Sequence, residues 1–173
     1  MSESSPLVYP DDLIRMILDE TKTIGMVGAS DNPVRPSYIV LKYLQQRGFT
    51  LFAINPVLAG KTILGAPAFA RLADIPEPID MVDIFRNSAA AGAIVDEALA
   101  LRLLPKTIWM QLTVRNDEAA ARAAAAGLDV IMDRCPKIEY GRLTGEIGWA
   151  GVNSGRLSAK RAAMMPGFQK RRL

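Results

Sequence analysis

Residues able to do chemistry fall at five places, each just beyond a short apolar run: Gly28-Ala29-Ser30, Asn55-Pro56, Phe85-Arg86, Gln111 and Arg134-Cys135. A glycine that closes an apolar run lets the backbone come close to a bound phosphate, and the first amide groups of a following helix can receive an anion. Arg35, just before Pro36, and Arg86 add guanidinium groups that pair with phosphate oxygens. The set suits a phosphate-bearing ligand of nucleotide type. The dinucleotide pattern G-x-G-x-x-G is not met, because Ser30 to Arg35 follow Gly28 where further glycines are required. Asn55 also stands where an NAD site has an acidic group for the ribose hydroxyls. An NAD(P)-dependent oxidoreductase is thus a disfavoured alternative, and the P-loop pattern of ATPases is absent.

Composition excludes more. The 173 residues include no histidine, so Ser-His-Asp catalysis, Cys-His catalysis and histidine metal sites cannot be built from this chain alone. Cys135 is the single cysteine, which rules out an internal disulfide and suits a reducing cytoplasm. No apolar run reaches about 18 residues, so no membrane span is expected. Met1 to Pro6 lacks a basic stretch before an apolar core, so no secretory leader is expected and a cytoplasmic location follows.

The elements that must position these residues alternate. A helix opens after Pro10, with Asp11 or Asp12 as cap and Leu13, Ile14, Ile17 and Leu18 at helical spacing. Strands are expected at Thr23–Gly28, Phe49–Ile54, Met81–Phe85, Thr107–Gln111 and Leu128–Asp133. Helices are expected at Ser37–Arg47, from Ser88 (as cap) to Leu104, and at Asn116–Ala126. Between Val57 and Asp80, Gly60-Lys61 reads as a turn and Ala66–Ala73 as a short helix. This alternation predicts an α/β, Rossmann-like domain: a five-stranded parallel sheet with helices on both faces. In such sheets ligands bind beyond the carboxyl ends of the strands, where strand order reverses. All five groups of polar residues lie there.

Gly28-Ala29-Ser30, Arg35-Pro36, Asn55-Pro56, Asp83-Ile84-Phe85-Arg86, Trp109-Met110-Gln111 and Asp133-Arg134-Cys135 occur in this order, mostly at strand ends. The set resembles that of the stand-alone bacterial CoA-binding-domain proteins, a family similar to the CoA-binding domain of succinyl-CoA synthetase alpha subunits and NDP-forming acyl-CoA synthetases. The resemblance covers about residues 10–142. It implies a protein that binds CoA or acyl-CoA and has no evident catalytic residues of its own. By this similarity Gly28, Ala29 and Ser30 lie against the CoA phosphates, Arg35 neutralises one of them, and Pro36 sets the start of the next helix. Asn55 and Pro56 line the nucleotide end, with Lys61 serving the 3′-phosphate. Phe85, Arg86 and Gln111 flank the site, and Arg134 and Cys135 lie near it. The synthetases use a phosphorylated histidine from a further domain. This chain has no histidine, so ligase activity does not carry over.

Several of these residues have plainer readings. Gly28 can simply end a strand, Asn55-Pro56 is a common turn former, and Arg86 can pair with Asp83 or Asp133. Asp83 and Trp109 read as structural. Cys135 reads as a buried hydrophobe, although the adjacent Arg134 could lower its pKa.

The domain boundaries follow as residues 1–142 for the CoA-binding domain and 143–173 for a glycine-containing, basic extension. From Gly155 onward six basic and no acidic residues occur, so the preceding 154 residues carry a net charge of −3 within a total of +3. The stretch from Gly145 to Gly155 can reach another subunit, which leaves an oligomer open. Nucleic acid is a disfavoured partner, and an interaction module acting through the tail is a further alternative. If the tail holds polyanions, removing residues 155–173 abolishes salt-sensitive binding; binding that survives the truncation assigns it elsewhere.

Overall fold

In the computed structural model, which describes residues 6–146, the short aliphatic runs of the sequence become strands with buried side chains on both faces. Strands β1 (Thr23–Val27) and β2 (Thr50–Ile54) are followed by β3 (Thr62–Ile63) and β4 (Ala66–Phe69). Then come β5 (Met81–Ile84), β6 (Thr107–Met110) and β7 (Asp129–Ile131). All seven form one sheet in the order β3-β4-β2-β1-β5-β6-β7. Neighbours pair in parallel except β3 with β4, which are antiparallel.

The expected five-stranded, all-parallel sheet is therefore corrected to a mixed sheet of seven strands. Leu64 and Gly65, at φ 50° and 83°, reverse the chain between β3 and β4. Two central residues with positive φ are what joins antiparallel strands tightly. Ala66 and Ala68 are buried while Pro67 is exposed, an alternation of two that makes the expected helix at Ala66–Ala73 a strand instead. Only Leu72–Asp74 of that stretch is helical, as one 3₁₀ turn.

Five α-helices cover the sheet. α1 (Asp11–Glu20), α2 (Pro36–Gln46) and α5 (Pro136–Leu143) share a core with Ile24, Met26, Met81 and Trp109 on one face. α3 (Ser88–Leu99) and α4 (Asp117–Ala125) pack on the other face against Val82, Ile84, Ile108 and Met110. Asn87, not Ser88, caps α3 by accepting from the Ala90 amide at 2.9 Å, and α3 ends at Leu99 rather than Leu104. Pro10, not Asp11 or Asp12, is the cap position of α1. Helix α5 was not expected; its signal was Pro136, since proline favours the first helical position. From Ile147 onward, the basic extension lies outside the described residues.

Strand order reverses between β1 and β5. From β1 the chain passes through α2 to β2 on one side, and it returns across β1 to lay β5 on the other. The two strand ends converge there: the Phe85 amide donates to the Val27 carbonyl at 2.8 Å, and the Gly28 amide to the Ile54 carbonyl at 2.9 Å. Gly28 has φ +87°, and a Cβ on it would sit 2.4 Å from the Phe85 carbonyl oxygen. Backbone cannot give way cheaply, so only glycine fits. Gly28→Ala is expected to cost at least about 2 kcal/mol. Thermal denaturation should show this as a Tm lower by roughly 4–8 °C, and an unchanged Tm would mean that the two strand ends are not held this close.

Candidate functional site

The β1–α2 connection is held from within by its own side chains. Ser30 Oγ accepts from the Asn32 amide at 3.1 Å, and Asn32 Oδ1 accepts from the Val34 amide at 3.1 Å. The Arg35 amide donates to the Asn32 carbonyl at 3.0 Å, which delivers Pro36 to the first position of α2. Asn55 ties this loop to the next one. Its Nδ2 donates to the Ala29 carbonyl at 2.9 Å, and its Oδ1 accepts from the Val57 amide at 3.0 Å. So bound, Asn55 shapes the loops, and one Nδ2 hydrogen remains for anything else.

This bracing leaves donors over. Among the described residues, the backbone N–H groups of Ala29, Ser30 and Asp31 donate to no protein acceptor, nor does that of Ser37 in the first turn of α2. Ala29 is buried, but the unbonded amides of half-buried Ser30 and exposed Asp31, ahead of α2, can receive an anion. Three cations named from the sequence are also uncommitted: Arg35, Lys61 and Arg86 are exposed and form no ion pair among the described residues. Arg86 lies at the convergence itself, its Cδ 3.0 Å from the place a Gly28 Cβ would take. The pairing of Arg86 with Asp83 or Asp133 is therefore not formed.

On the β5–β6 side, a crevice of about 650 Å³ opens among Pro36, Val40, Phe85, Gln111, Val114 and Cys135, with Arg86, Asn87, Leu112 and Thr113 at its margin. Its wall is mostly apolar. Under it lies Asp83, fully buried in the middle of β5. Gln111 Nε2 donates to both Asp83 carboxylate oxygens, at 2.9 and 3.1 Å. Burial pushes the Asp83 carboxyl up to about 7, partly opposed by the Gln111 hydrogen bond. Burial also pushes the Cys135 thiol up, and Asp83 adds to the effect. The lowered thiol pKa suggested by the adjacent arginine is corrected accordingly.

Arg134 faces another way. Its guanidinium donates to the Leu7 carbonyl at 3.0 Å and the Asp133 carbonyl at 2.8 Å, and lies 5.5 Å from the Tyr9 ring centre. The residues named from the sequence thus divide into groups. Gly28, Ala29, Ser30, Arg35 and Pro36 form the loop after β1, and Asn55, Pro56 and Lys61 the stretch after β2. Pro36, Phe85, Arg86, Gln111 and Cys135 border the crevice. Arg134 fastens the N-terminal segment, and Trp109 is core, its Nε1 donating to the Arg134 carbonyl at 2.8 Å.

Sequence reasoning missed Val40, Asn87, Leu112, Thr113 and Val114 as crevice residues. A signal for the last two existed. Asp133, at φ 53°, can take the left-handed conformation that Asp tolerates. Its carboxylate then accepts from the Thr113 amide at 2.7 Å and pins the loop after β6. Among the described residues no group of His, Cys, Asp or Glu could hold a metal ion, and no helix is long and apolar enough to cross a membrane.

A switch-point crevice flanked by unbonded amides and unpaired cations, on a sheet whose six parallel strands have β1 among the inner ones, defines an α/β domain of the nucleotide-binding architecture. The chain belongs to the CoA binding domain family, whose model matches residues 22–141. It is 35% identical over 127 residues to the uncharacterized protein YneT of Bacillus subtilis (strain 168), covering 73% of this chain and 91% of that one. Among solved structures, it resembles cell-free ID.343 from Thermus thermophilus with 36% identity and a TM-score of 0.73, covering 78% of this chain and 98% of that one. A hypothetical protein from Pyrococcus horikoshii OT3 matches with 35% identity and a TM-score of 0.75, covering 84% and 100%.

Asp83 makes stability pH-dependent in a definite sense. Its folded pKa of about 7 lies above the unfolded value of 3.8, so the folded state holds the proton more tightly. Its contribution is full below the unfolded value and is lost as pH rises through the folded one. Asp83→Asn removes this slope. Denaturation of both proteins from pH 4 to pH 8 should show the variant gaining on the wild type as pH rises to about 7. A difference independent of pH would contradict the assignment.

Proposed function

We propose that the protein binds CoA or acyl-CoA at the strand ends around β1, and that it works as a binding protein without a catalytic set of its own. The observation that carries this reading is the pair of unbonded amides at Ser30 and Asp31, in the same rim as the uncommitted Arg35 and Arg86. These groups suit the pyrophosphate: backbone dipoles hold its oxygens, and guanidinium groups balance its charge. Lys61 belongs to the turn after β2 and serves the 3′-phosphate. The apolar crevice beyond Phe85 accepts the uncharged pantetheine arm, with its thiol end toward Cys135. In this reading the protein holds CoA as the CoA-binding domain of the succinyl-CoA synthetase alpha subunit does, without the histidine relay of the synthetases. A single unpaired thiol favours a cytoplasmic setting.

An NAD(P)-linked reading gains nothing from the site, because Asn55 is engaged with Ala29 and Val57 and offers no carboxylate to a ribose. Thermal-shift measurements with CoA, acetyl-CoA, NAD, NADP and ATP should give the largest stabilisation with the CoA compounds. Changing Arg35 and Arg86 together to alanine should weaken CoA binding at least about tenfold in calorimetry. Stabilisation by NAD alone, or full CoA affinity in the double variant, would overturn the reading.

A further inference from the structure

Gln111 closes β6 and borders the crevice, yet it is only 6% exposed. A carboxamide has two ends, and here one is fully committed: Nε2 donates to both oxygens of Asp83. The other end has no such use. Among the described residues Gln111 Oε1 accepts no hydrogen bond, and it is not enclosed like a buried unpaired atom but reaches the accessible surface. The rest of the wall explains little, since Pro36, Val40, Phe85 and Val114 bring apolar side chains to it. An acceptor presented from an apolar wall is how a small-molecule site orients its ligand.

Asp83 accounts for the orientation. An amide could turn either end toward the crevice, but here both Asp83 oxygens already accept from Nε2, which fixes the NH₂ end on the Asp83 side. With Asp83 behind it, Gln111 keeps its NH₂ group inward and its oxygen outward. The carboxyl that looked merely structural in the sequence therefore sets the hydrogen-bonding polarity of a group in the crevice.

We propose that Gln111 Oε1 is the acceptor for an amide N–H of the ligand's pantetheine arm, and that Asp83 is the positioning residue that keeps this oxygen facing the crevice. The proposal rests on the CoA reading above and extends it. Of the parts of CoA, the arm is the one with secondary amides and no charge, which suits the acceptor of Gln111 set among the apolar side chains of Pro36, Val40, Phe85 and Val114. The phosphates belong with the open amides and cations of the β1–α2 loop. Discrimination follows: a nucleotide bisphosphate held at the loops after β1 and β2 lacks the arm that carries an amide N–H to Gln111.

The test compares CoA with adenosine 3′,5′-bisphosphate in calorimetric titrations of the whole chain. Wild type, Gln111→Met (near in shape, without the acceptor) and Asp83→Leu are each titrated with both ligands. Both variants should lose about tenfold in CoA affinity, the worth of one buried hydrogen bond, and keep their affinity for the bisphosphate. In ¹⁵N-labelled protein the Gln111 side-chain amide protons should exchange slowly in the wild type and rapidly in Asp83→Leu. Unchanged CoA affinity in Gln111→Met overturns the proposal, as does an equal loss for both ligands, which would mark a general effect on the fold. Should Asp83→Leu not fold, Gln111→Met and the amide exchange of the wild type still decide. Wild-type protein that binds neither compound overturns the CoA reading itself, a result distinct from the other two.

Discussion

The site depends on how closely the ends of β1 and β5 converge. Where strand order reverses, the chain leaves β1 in one direction while β5 arrives from the other, and the Phe85 amide reaches across to the Val27 carbonyl. At Gly28 the backbone turns with positive φ because the Phe85 carbonyl occupies the space of any side chain. The turn starts the β1–α2 loop, leaves the amides of Ser30 and Asp31 unbonded and brings Arg86 alongside. It also bounds the crevice through Phe85. Gly28 is thus required by the protein's own packing, and the affinity of the region for an anion comes from what the turn leaves unbonded.

Charge is distributed unevenly around this point. Arg47, Arg115 and Arg142 are spent on carboxylates at 2.7 to 2.8 Å, and Arg134 on backbone carbonyls. Arg35 and Arg86 are not spent. An uncommitted guanidinium at a strand end costs the fold nothing in water and is ready for a phosphate, whereas one already paired must first be released. Among the described residues the most deeply buried carboxyl, Asp83, lies on the other side of the crevice wall with an amide as its partner. A cationic rim and an apolar interior with few hydrogen-bonding groups are different solvents, and a ligand with one charged and one uncharged end can use both.

Much of this was legible in the chain. Runs such as Thr23–Val27 and Met81–Ile84 announce strands because both faces are covered, and Gly28, Asn55 and Gln111 mark where they stop. The β3–β4 hairpin was hidden, because a two-residue strand and an alternation spoiled by Pro67 have too little pattern to read. Helix α5 was hidden for another reason: eight residues with Glu139 and Arg142 among the apolar ones look like a loop until the salt bridge between them is seen. Site membership was legible at the level of loops, since position beyond a strand end follows from topology alone. Side-chain commitments were not. That Arg134 turns to Leu7 and Tyr9 while Arg86 remains unpaired depends on segments more than a hundred residues apart in one case and adjacent in the other. Asp83 was read as structural, and only the geometry of its two oxygens links it to the crevice.

The margins of the sheet have a consequence for how the molecule keeps to itself. At one border β3 is only two residues long. At the other, β7 has three residues, and the next amide, that of Met132, already donates to the Tyr9 hydroxyl at 2.9 Å. Neither border gives an incoming strand a ladder long enough to zip onto. Among the described residues, fibre-like growth by edge-to-edge strand addition is thereby disfavoured at both borders of the sheet.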